Sequence, residues 1–286
     1  MRLLSMLMPL LLLSLGFVVA CSPVRLLNGV VPTNGAQARR DIAYGSSPRQ
    51  RMDLYEPASA SEVPAPVVIF FYGGSWQGGE KSDYLFVADA LTSKGFIAII
   101  ADYRVYPEVK FPAFVEDGAL VVRWARDHVG DWRGDPSRIY VMGHSAGAHI
   151  AALLALDPRY LSAVGLDRSV IRAMVGLAGP YDFLPFHSET LRTLFGPPDG
   201  WAQTQPINFV DGKEPPMLLQ SGSWDTTVGP GNSERLIAKI CEHGGSARAI
   251  FYRGIGHRTL IAAFARPLRR FTPVLDDAAE FMRSHG

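Results

Sequence analysis

The chain has 286 residues, 48% of them apolar, and its 28 basic residues nearly balance its 27 acidic ones. This length and apolar content suffice for one large domain with a substantial core. The balanced charge and the lack of a basic run argue against nucleic-acid binding and against electrostatic attachment to a membrane.

The first 21 residues have the pattern of a secretory signal segment, with one positive charge at Arg2 followed by the mostly apolar residues 3–20. The end of this segment, Val18-Val19-Ala20-Cys21, resembles the lipobox of bacterial lipoproteins. The resemblance implies lipidation at Cys21, and an exported protein that is anchored in the cell envelope, at the periplasmic face or outer membrane, or secreted. An ordinary signal peptide or an uncleaved anchor helix are the alternatives. The short apolar run and Pro9 argue against a permanent membrane span.

Residues 22–40 mix Pro, Asn, Gly and Gln with little periodicity, and they predict a tether ahead of a single catalytic domain at 41–286. Lipidation of Cys21 would leave Cys241, the second of two cysteines, without a disulfide partner. Cys241 ends an amphipathic helical pattern, which predicts a buried side chain.

Apolar runs and helical patterns alternate along the rest of the chain. The runs predict strands at 66–72, 96–101, 139–142, 173–177, 217–220 and 248–252. Helices are predicted at 84–94, 113–128, 148–156, 233–243 and 276–284. This alternation predicts a largely parallel sheet with helices on both faces. Residues 180–215, rich in proline and aromatics, predict an irregular insert near the mouth of the site.

The stretch Gly143-His144-Ser145-Ala146-Gly147 lies between a predicted strand and a predicted helix. A sharp turn with serine at its apex is the nucleophile elbow of α/β-hydrolases, and small neighbours are required around the strained serine. Ser145 is therefore the candidate nucleophile. His144 is expected to pack under the turn, with a direct catalytic role as the less favoured alternative.

A serine nucleophile needs a base and an acid that orients the base, in the chain order Ser, Asp or Glu, His. Asp225 follows the strand predicted at 217–220, at a carboxyl end where such sheets build their sites. His257 follows the last predicted strand, between loop-forming glycines, whereas His243 ends a helix and His285 is next to the C-terminus. The sequence predicts the triad Ser145, Asp225 and His257.

The loop Tyr72-Gly73-Gly74-Ser75-Trp76 follows the first core strand. The N–H groups of Gly73 and Gly74, with that of Ala146 after the nucleophile, are predicted to form an oxyanion hole. A plain turn is the alternative for this Gly-Gly pair.

These motifs resemble the carboxylesterase branch of the α/β-hydrolases, near the hormone-sensitive-lipase-like and kynurenine-formamidase-like esterases. The oxyanion loop matches their His-Gly-Gly pattern with Tyr72 in place of His. Asp102-Tyr103-Arg104, Phe111-Pro112-Ala113 and Glu116-Asp117 resemble a further conserved stretch of theirs. The lipase-like members usually carry Asp where His144 stands. The resemblance covers residues 51–257 and implies the α/β-hydrolase fold and hydrolytic chemistry.

Three aromatic residues, Trp76, Tyr181 and Trp224, fall in loops at the catalytic end and are candidates for an apolar pocket wall. Metal-ligand spacing, phosphate loops and dinucleotide fingerprints are absent from the sequence, so the proposed chemistry needs no metal and no cofactor.

The sequence thus predicts a serine hydrolase, foremost a carboxylesterase that cleaves small to medium carboxylic esters through an acyl-enzyme on Ser145. An amidase, formamidase or short-peptide hydrolase is the second enzymatic alternative. A non-catalytic binding protein of the cell envelope on the same fold is a third, which the complete triad disfavours. The expected partner is a small-molecule ester.

Overall fold

The structure, a computed structural model, describes residues 23–31, 37–58 and 62–286. The predicted signal segment 1–21 with Cys21, together with residues 22 and 32–36 of the predicted tether, lies outside the described residues.

The described residues form one eight-stranded sheet with the strand order β1-β2-β4-β3-β5-β6-β7-β8. β1 and β2 are antiparallel to their neighbours, and the remaining six strands are parallel. The strands are β1 (Gln37–Ala43), β2 (Arg51–Glu56), β3 (Ala65–Phe71), β4 (Ile97–Ala101), β5 (Gly134–His144), β6 (Ile171–Leu177), β7 (Met217–Gly222) and β8 (Ala247–Tyr252).

Eight α-helices connect and cover these strands within the described ranges. They are α1 (Leu85–Ser93), α2 (Ala113–His128), α3 (Ala146–Leu156), α4 (Pro158–Ala163), α5 (Glu189–Phe195), α6 (Gly231–Glu242), α7 (His257–Ala262) and α8 (Val274–Arg283). Short 3₁₀ helices lie at Pro23–Val30, Lys81–Tyr84, Val129–Trp132, Arg168–Val170, Pro198–Thr204 and Pro206–Phe209. Every residue of β4 and β7 is buried, as expected for parallel strands covered on both faces.

The parallel strands bring the site residues to one edge of the sheet. Ser145 follows β5, the oxyanion loop follows β3, Asp225 follows β7 and His257 follows β8. Because the carboxyl ends of parallel strands lie at the same edge, these four segments converge even though up to 184 positions separate them in the chain.

The prediction of a tether at 22–40 is wrong for the part that the structure describes. Residues 23–30 form a 3₁₀ helix whose Val24 and Leu27 side chains pack against the core. Residues 37–40 belong to β1, so the domain includes residues ahead of position 41. The side chain of Asn28 joins this helix to the domain, donating to Ser82 O at 2.8 Å and accepting from Phe86 N at 3.1 Å.

Two further predictions meet different outcomes. Cys241 is exposed near the end of α6, with its thiol 3.9 Å from Ala247 O at the start of β8, so the prediction of a buried side chain is wrong. The region 180–215 contains no strand, as predicted, but it is more regular than expected, with α5 and two 3₁₀ helices. None of the helices in the described part of the chain combines the length and the apolar character needed to cross a bilayer.

Asn28→Ala should lower the free energy of unfolding by about 1 kcal/mol, because it removes the side-chain acceptor for a first-turn N–H of α1. Urea unfolding followed by circular dichroism measures this change. Leu26→Ser is the matched control, since Leu26 lies in the same 3₁₀ helix and is 72% exposed. Equal stabilities of the two variants would mean that residues 23–30 are not docked in solution.

Candidate active site

The elbow at Ser145 has the strained geometry that its sequence predicts. β5 ends at His144 and α3 begins at Ala146, and Ser145 between them has φ 55° and ψ −122°. A methyl group added at Gly147 would collide with Phe71 O, and one added at Gly143 would collide with the Gly147 carbonyl. Positions 143 and 147, two residues before and after Ser145, must therefore be glycine for the turn to close against β3. Ala146 is the first residue of α3, so its N–H has no partner within the helix.

Asp225 and His257 form a hydrogen-bonded pair beside this elbow. His257 Nδ1 lies 2.8 Å from Asp225 Oδ2. The other carboxylate oxygen, Oδ1, accepts the backbone N–H groups of Thr227 at 2.9 Å and Val228 at 2.8 Å. A carboxylate only accepts, so Nδ1 of His257 carries the proton and Nε2 is free to act as a base.

The charge of Asp225 is secured by these contacts. Burial works to raise the pKa of this carboxyl, but the hydrogen bonds from His257 and from the N–H groups of Val228 and Thr227 outweigh it and hold the pKa below its ordinary value. Asp225 is therefore an anion at neutral pH and can stabilise positive charge on His257.

Among the described residues, His257 forms its hydrogen bond to Asp225, and none joins Ser145 Oγ to His257 Nε2 in this structure. Nearby contacts nevertheless place His257 at the elbow, because the imidazole centroids of His144 and His257 are 4.8 Å apart. Nucleophile-to-base hydrogen bonds are often long in enzymes without substrate and shorten when substrate binds. The structure thus brings together all three residues of the predicted triad, with one of its two hydrogen bonds formed.

The oxyanion loop lies directly against the nucleophile. A methyl group added at Gly73 would lie 3.0 Å from Ser145 Cβ, so a larger residue at this position would press on the nucleophile. Gly74, Ser75 and Trp76 have positive φ angles of 147°, 54° and 58°, and the last two are strained for residues with a side chain. The sequence reveals the glycines of this turn but not the strain at Ser75 and Trp76.

The three predicted oxyanion donors share one property. The N–H groups of Gly73, Gly74 and Ala146 make no hydrogen bond to any described residue, which leaves all three available for an oxyanion.

Tyr72, the residue that replaces the family's His, anchors the oxyanion loop from beneath. Its hydroxyl donates to Asp102 Oδ1 at 2.6 Å and accepts from Arg49 Nη2 at 3.1 Å. Asp102 Oδ1 also accepts Lys81 N at 2.7 Å, and Arg49 Nη2 donates to Gly79 O at 2.8 Å. These bonds hold the first residue of the loop and the residues at 79 and 81 that follow it, and the sequence alone does not reveal them.

The three predicted pocket residues differ in how far their side chains are exposed. Trp224 is 72% exposed and lies at the rim beside Asp225, where it can touch a substrate. Tyr181 is fully buried and packs against Gly176 and Gly179, so the prediction that it lines a pocket is wrong. Trp76 is 5% exposed and packs into a group of aromatic rings instead of an open wall.

That group, the aromatic cluster, consists of Trp76, Phe114, His149, Phe183 and Phe195. Trp76 stacks on Phe183 with ring centroids 5.9 Å apart and meets Phe195 edge-on at 4.9 Å. His149 lies one turn after the nucleophile in α3, and its backbone N–H donates to Ser145 O at 3.2 Å. The cluster therefore fills space next to the elbow.

Two buried histidines surround the nucleophile and are both neutral. Burial lowers the pKa of His144 to about 3 and that of His149 to about 4. Each ring has one nitrogen near a backbone carbonyl: His144 Nε2 is 3.1 Å from His257 O, and His149 Nε2 is 2.7 Å from Thr204 O. A carbonyl only accepts, so both Nε2 atoms carry the proton. His144 does pack under the turn, as expected, but its contact with the base loop was not foreseen.

Comparison with known proteins identifies related sequences over most of the chain. The family model BD-FAE matches residues 52–240, a range that includes Ser145 and Asp225 and ends before His257. A probable isoprenylcysteine alpha-carbonyl methylesterase from Arabidopsis thaliana is 32% identical over 245 residues, which are 78% of this chain and 51% of the relative. The esterase LipC of Mycobacterium tuberculosis is 34% identical over 209 residues, 66% of this chain and 52% of that protein. The chain thus spans about half the length of these relatives.

Among solved structures, the thermophilic carboxylesterase EstE1, cloned from a metagenomic library, matches with a TM-score of 0.76. The match covers 92% of this chain and 93% of that chain at 24% identity. At this identity the likeness concerns the fold. Together with the sheet order, it confirms the predicted α/β-hydrolase fold.

Acidification should destabilise the protein partly through His149. Its folded-state pKa of about 4 lies below the ordinary value of 6.5, so the unfolded chain takes up a proton first as the pH falls. Stability is then lost between about pH 6.5 and pH 4, at about 1.4 kcal/mol per pH unit for such a histidine. His149→Leu should make the pH dependence of the free energy of unfolding shallower in this window, as measured by urea titrations at several pH values.

His187→Leu is the control for this experiment, because His187 is exposed in the insert. It should leave the pH dependence unchanged. Parallel curves for His149→Leu and the wild-type protein would show that His149 is not held neutral in the folded state.

Proposed function

Because the chain belongs to the BD-FAE family, we propose that it is a serine hydrolase that cleaves carboxylic esters. The observation that carries this proposal is the 2.8 Å pair of Asp225 and His257 beside a serine in the strained turn at the end of β5. A buried carboxylate, an imidazole with a free Nε2 and an adjacent serine are what acyl transfer at neutral pH requires.

In the proposed reaction, Ser145 Oγ attacks the ester carbonyl while His257 Nε2 takes its proton. Asp225 keeps the imidazole in the required orientation and stabilises its positive charge. The negative charge on the carbonyl oxygen is held by the N–H groups of Gly74 and Ala146, each worth about 3–4 kcal/mol in such sites. The Gly73 N–H, which makes no hydrogen bond to any described residue, is the third proposed donor.

The tetrahedral intermediate then collapses. The bond from carbon to the alcohol oxygen breaks, and His257 gives its proton to the departing alcohol, which leaves an acyl group on Ser145. A water molecule attacks this acyl-enzyme while His257 takes a proton from the water. Breaking the bond to Ser145 Oγ returns that proton to the serine and releases the carboxylic acid.

We propose that the acyl group is small to medium in size. The aromatic cluster fills the space beside Ser145, and rings packed at 4.9–5.9 Å leave little room for a long chain. The relatives named as a methylesterase and as an esterase support ester substrates, without identifying the one that this chain uses. The exposed Trp224 at the rim is the proposed contact for the alcohol part of the substrate.

Hydrolysis of p-nitrophenyl esters of graded acyl length by the full chain tests this function. Activity should be highest with short acyl chains, and Ser145→Ala should lower kcat by at least about 10⁴-fold because the nucleophile is lost. Ser162→Ala, at an exposed serine outside the site, is the control and should retain full activity.

Substantial turnover by folded Ser145→Ala would refute the assignment of the nucleophile. A wild-type protein that reacts with a fluorophosphonate at Ser145 but cleaves no ester would favour the amidase alternative, which matched amide substrates then test. A protein inert to both reagents would favour a non-catalytic binding protein.

We further propose that residues 1–21 direct export and that Cys21 is lipidated, which would anchor the enzyme in the cell envelope. The supporting observations are Arg2, the apolar run that follows it and the lipobox-like Val18-Val19-Ala20-Cys21. In a bacterial host that processes lipoproteins, the wild-type chain should then fractionate with membranes, and Cys21→Ser should move it to the soluble fraction or leave it unprocessed. Cys241→Ser is the matched control, and mass spectrometry of the N-terminus identifies the lipid. A wild-type chain without N-terminal lipid would contradict the proposal.

A further inference from the structure

His144, the residue before the nucleophile, makes a side-chain contact with the backbone of the base. Its Nε2 lies 3.1 Å from His257 O and donates to it, since a carbonyl oxygen can only accept. The ring is buried, and Nδ1, its other nitrogen, has no hydrogen-bond partner among the described residues. The hydrogen bond of the His144 side chain is therefore made to the backbone of residue 257.

The same ring touches the other parts of the site. Its centroid is 4.8 Å from that of the His257 imidazole, and a methyl group added at Gly73 would lie 3.0 Å from its Nδ1. His144 thus lies between the elbow, the base and the oxyanion loop. A substitution that changes the shape of the His144 side chain is therefore expected to disturb the packing of all three.

His257 follows a loop that is tied to the Asp225 segment by hydrogen bonds from Gly254 N to Ser223 Oγ and from Trp224 N to Ile255 O, and its own backbone has a separate contact to His144. His257 begins the six-residue helix α7, directly after this loop, in which Gly254 has a φ of 76°. Asp225 fixes the imidazole through Nδ1, and its carboxylate makes no hydrogen bond to the backbone of residue 257. The hydrogen bond from His144 joins that backbone to β5, the strand that carries the nucleophile. It is a direct link between the serine and the base that does not pass through Asp225.

We propose that His144 is a positioning residue that fixes the distance between His257 and Ser145 through its hydrogen bond to the His257 carbonyl. This inference rests on the proposed ester hydrolysis. Catalysis is sensitive to such a distance, since a displacement of about 1 Å can lower a rate about 100-fold.

The site also requires that His144 be uncharged. His257 becomes a cation when it takes the proton of Ser145, and a second positive charge at 4.8 Å would oppose this step. Burial, with the pKa of His144 near 3, keeps the ring neutral at the pH where a histidine base works. A neutral donor to a carbonyl is thus what this position supplies.

The experiment compares His144→Gln with His144→Met in the full chain. Gln places an amide N–H close to the position of Nε2, and Met has nearly the same length and shape without a donor. His144→Met should lower kcat for a short p-nitrophenyl ester about 10- to 100-fold with little change in KM, whereas His144→Gln should stay within about threefold of the wild-type kcat. If His144→Met does not fold, as judged by its thermal midpoint, His144→Leu replaces it with the same expectation.

The same pair is then measured in a His257→Ala background, in which no base remains to be positioned. If His144 acts through His257, His144→Met should cause no further loss there, so that the two effects are not additive. An equal loss in both backgrounds would mean a general structural role and would overturn the proposal. So would equal kcat values for folded His144→Gln and His144→Met.

Failure of the proposed function gives a different result, in which the wild-type protein cleaves no ester. The rate at which a fluorophosphonate labels Ser145 then replaces kcat, because this reaction also needs the base near the serine. Slower labelling of His144→Met than of His144→Gln would support the positioning role without ester turnover, and equal rates would overturn it.

Discussion

The turn at Ser145 is the constraint on which the rest of the site depends. A serine with φ 55° is held only if the chain on both sides approaches its neighbours more closely than a side chain permits. Gly147 lies against the carbonyl of Phe71, and Gly143 against that of Gly147. The same approach brings Gly73, two residues after Phe71, into contact with the serine. The strain at the nucleophile and the position of the oxyanion loop are therefore two results of one packing arrangement between β3 and the start of α3.

Electrostatics around this turn favour one charge arrangement. Asp225 is kept ionised by three donors, whereas burial keeps His144 and His149 neutral. His257 is then the histidine of this group that is placed to become positive, next to the carboxylate. A site with three histidines near one serine thus has a single base, because the other two would have to charge inside the protein.

The sequence was most informative where a catalytic residue directly follows a recognisable strand. The elbow, its strand-helix context and the chain order of Ser145, Asp225 and His257 could be predicted because each lies at the end of a recognisable strand. Burial beyond the local pattern could not be predicted, so the predictions that Tyr181 lines a pocket and that Cys241 is buried are both wrong. Asn28 docks the N-terminal residues through two hydrogen bonds to segments more than 50 positions away, and no local periodicity reports such contacts.

Tyr72, which stands where the resembling families carry His, is held in place by hydrogen bonds and by ring stacking. Burial and the neighbouring Asp102 carboxylate raise the pKa of Tyr72 well above its ordinary value, so the phenol stays protonated and donates to Asp102. Its ring stacks between Tyr103 and Tyr84 at 4.8 and 5.3 Å, which a smaller imidazole would not fill in the same way. Because Arg49 contacts both the Tyr72 hydroxyl and the Gly79 carbonyl, it connects the first residue of the oxyanion loop to a residue three positions beyond its end. The first residue of the loop is thus held by Arg49 and Asp102, two residues that stand outside the loop itself.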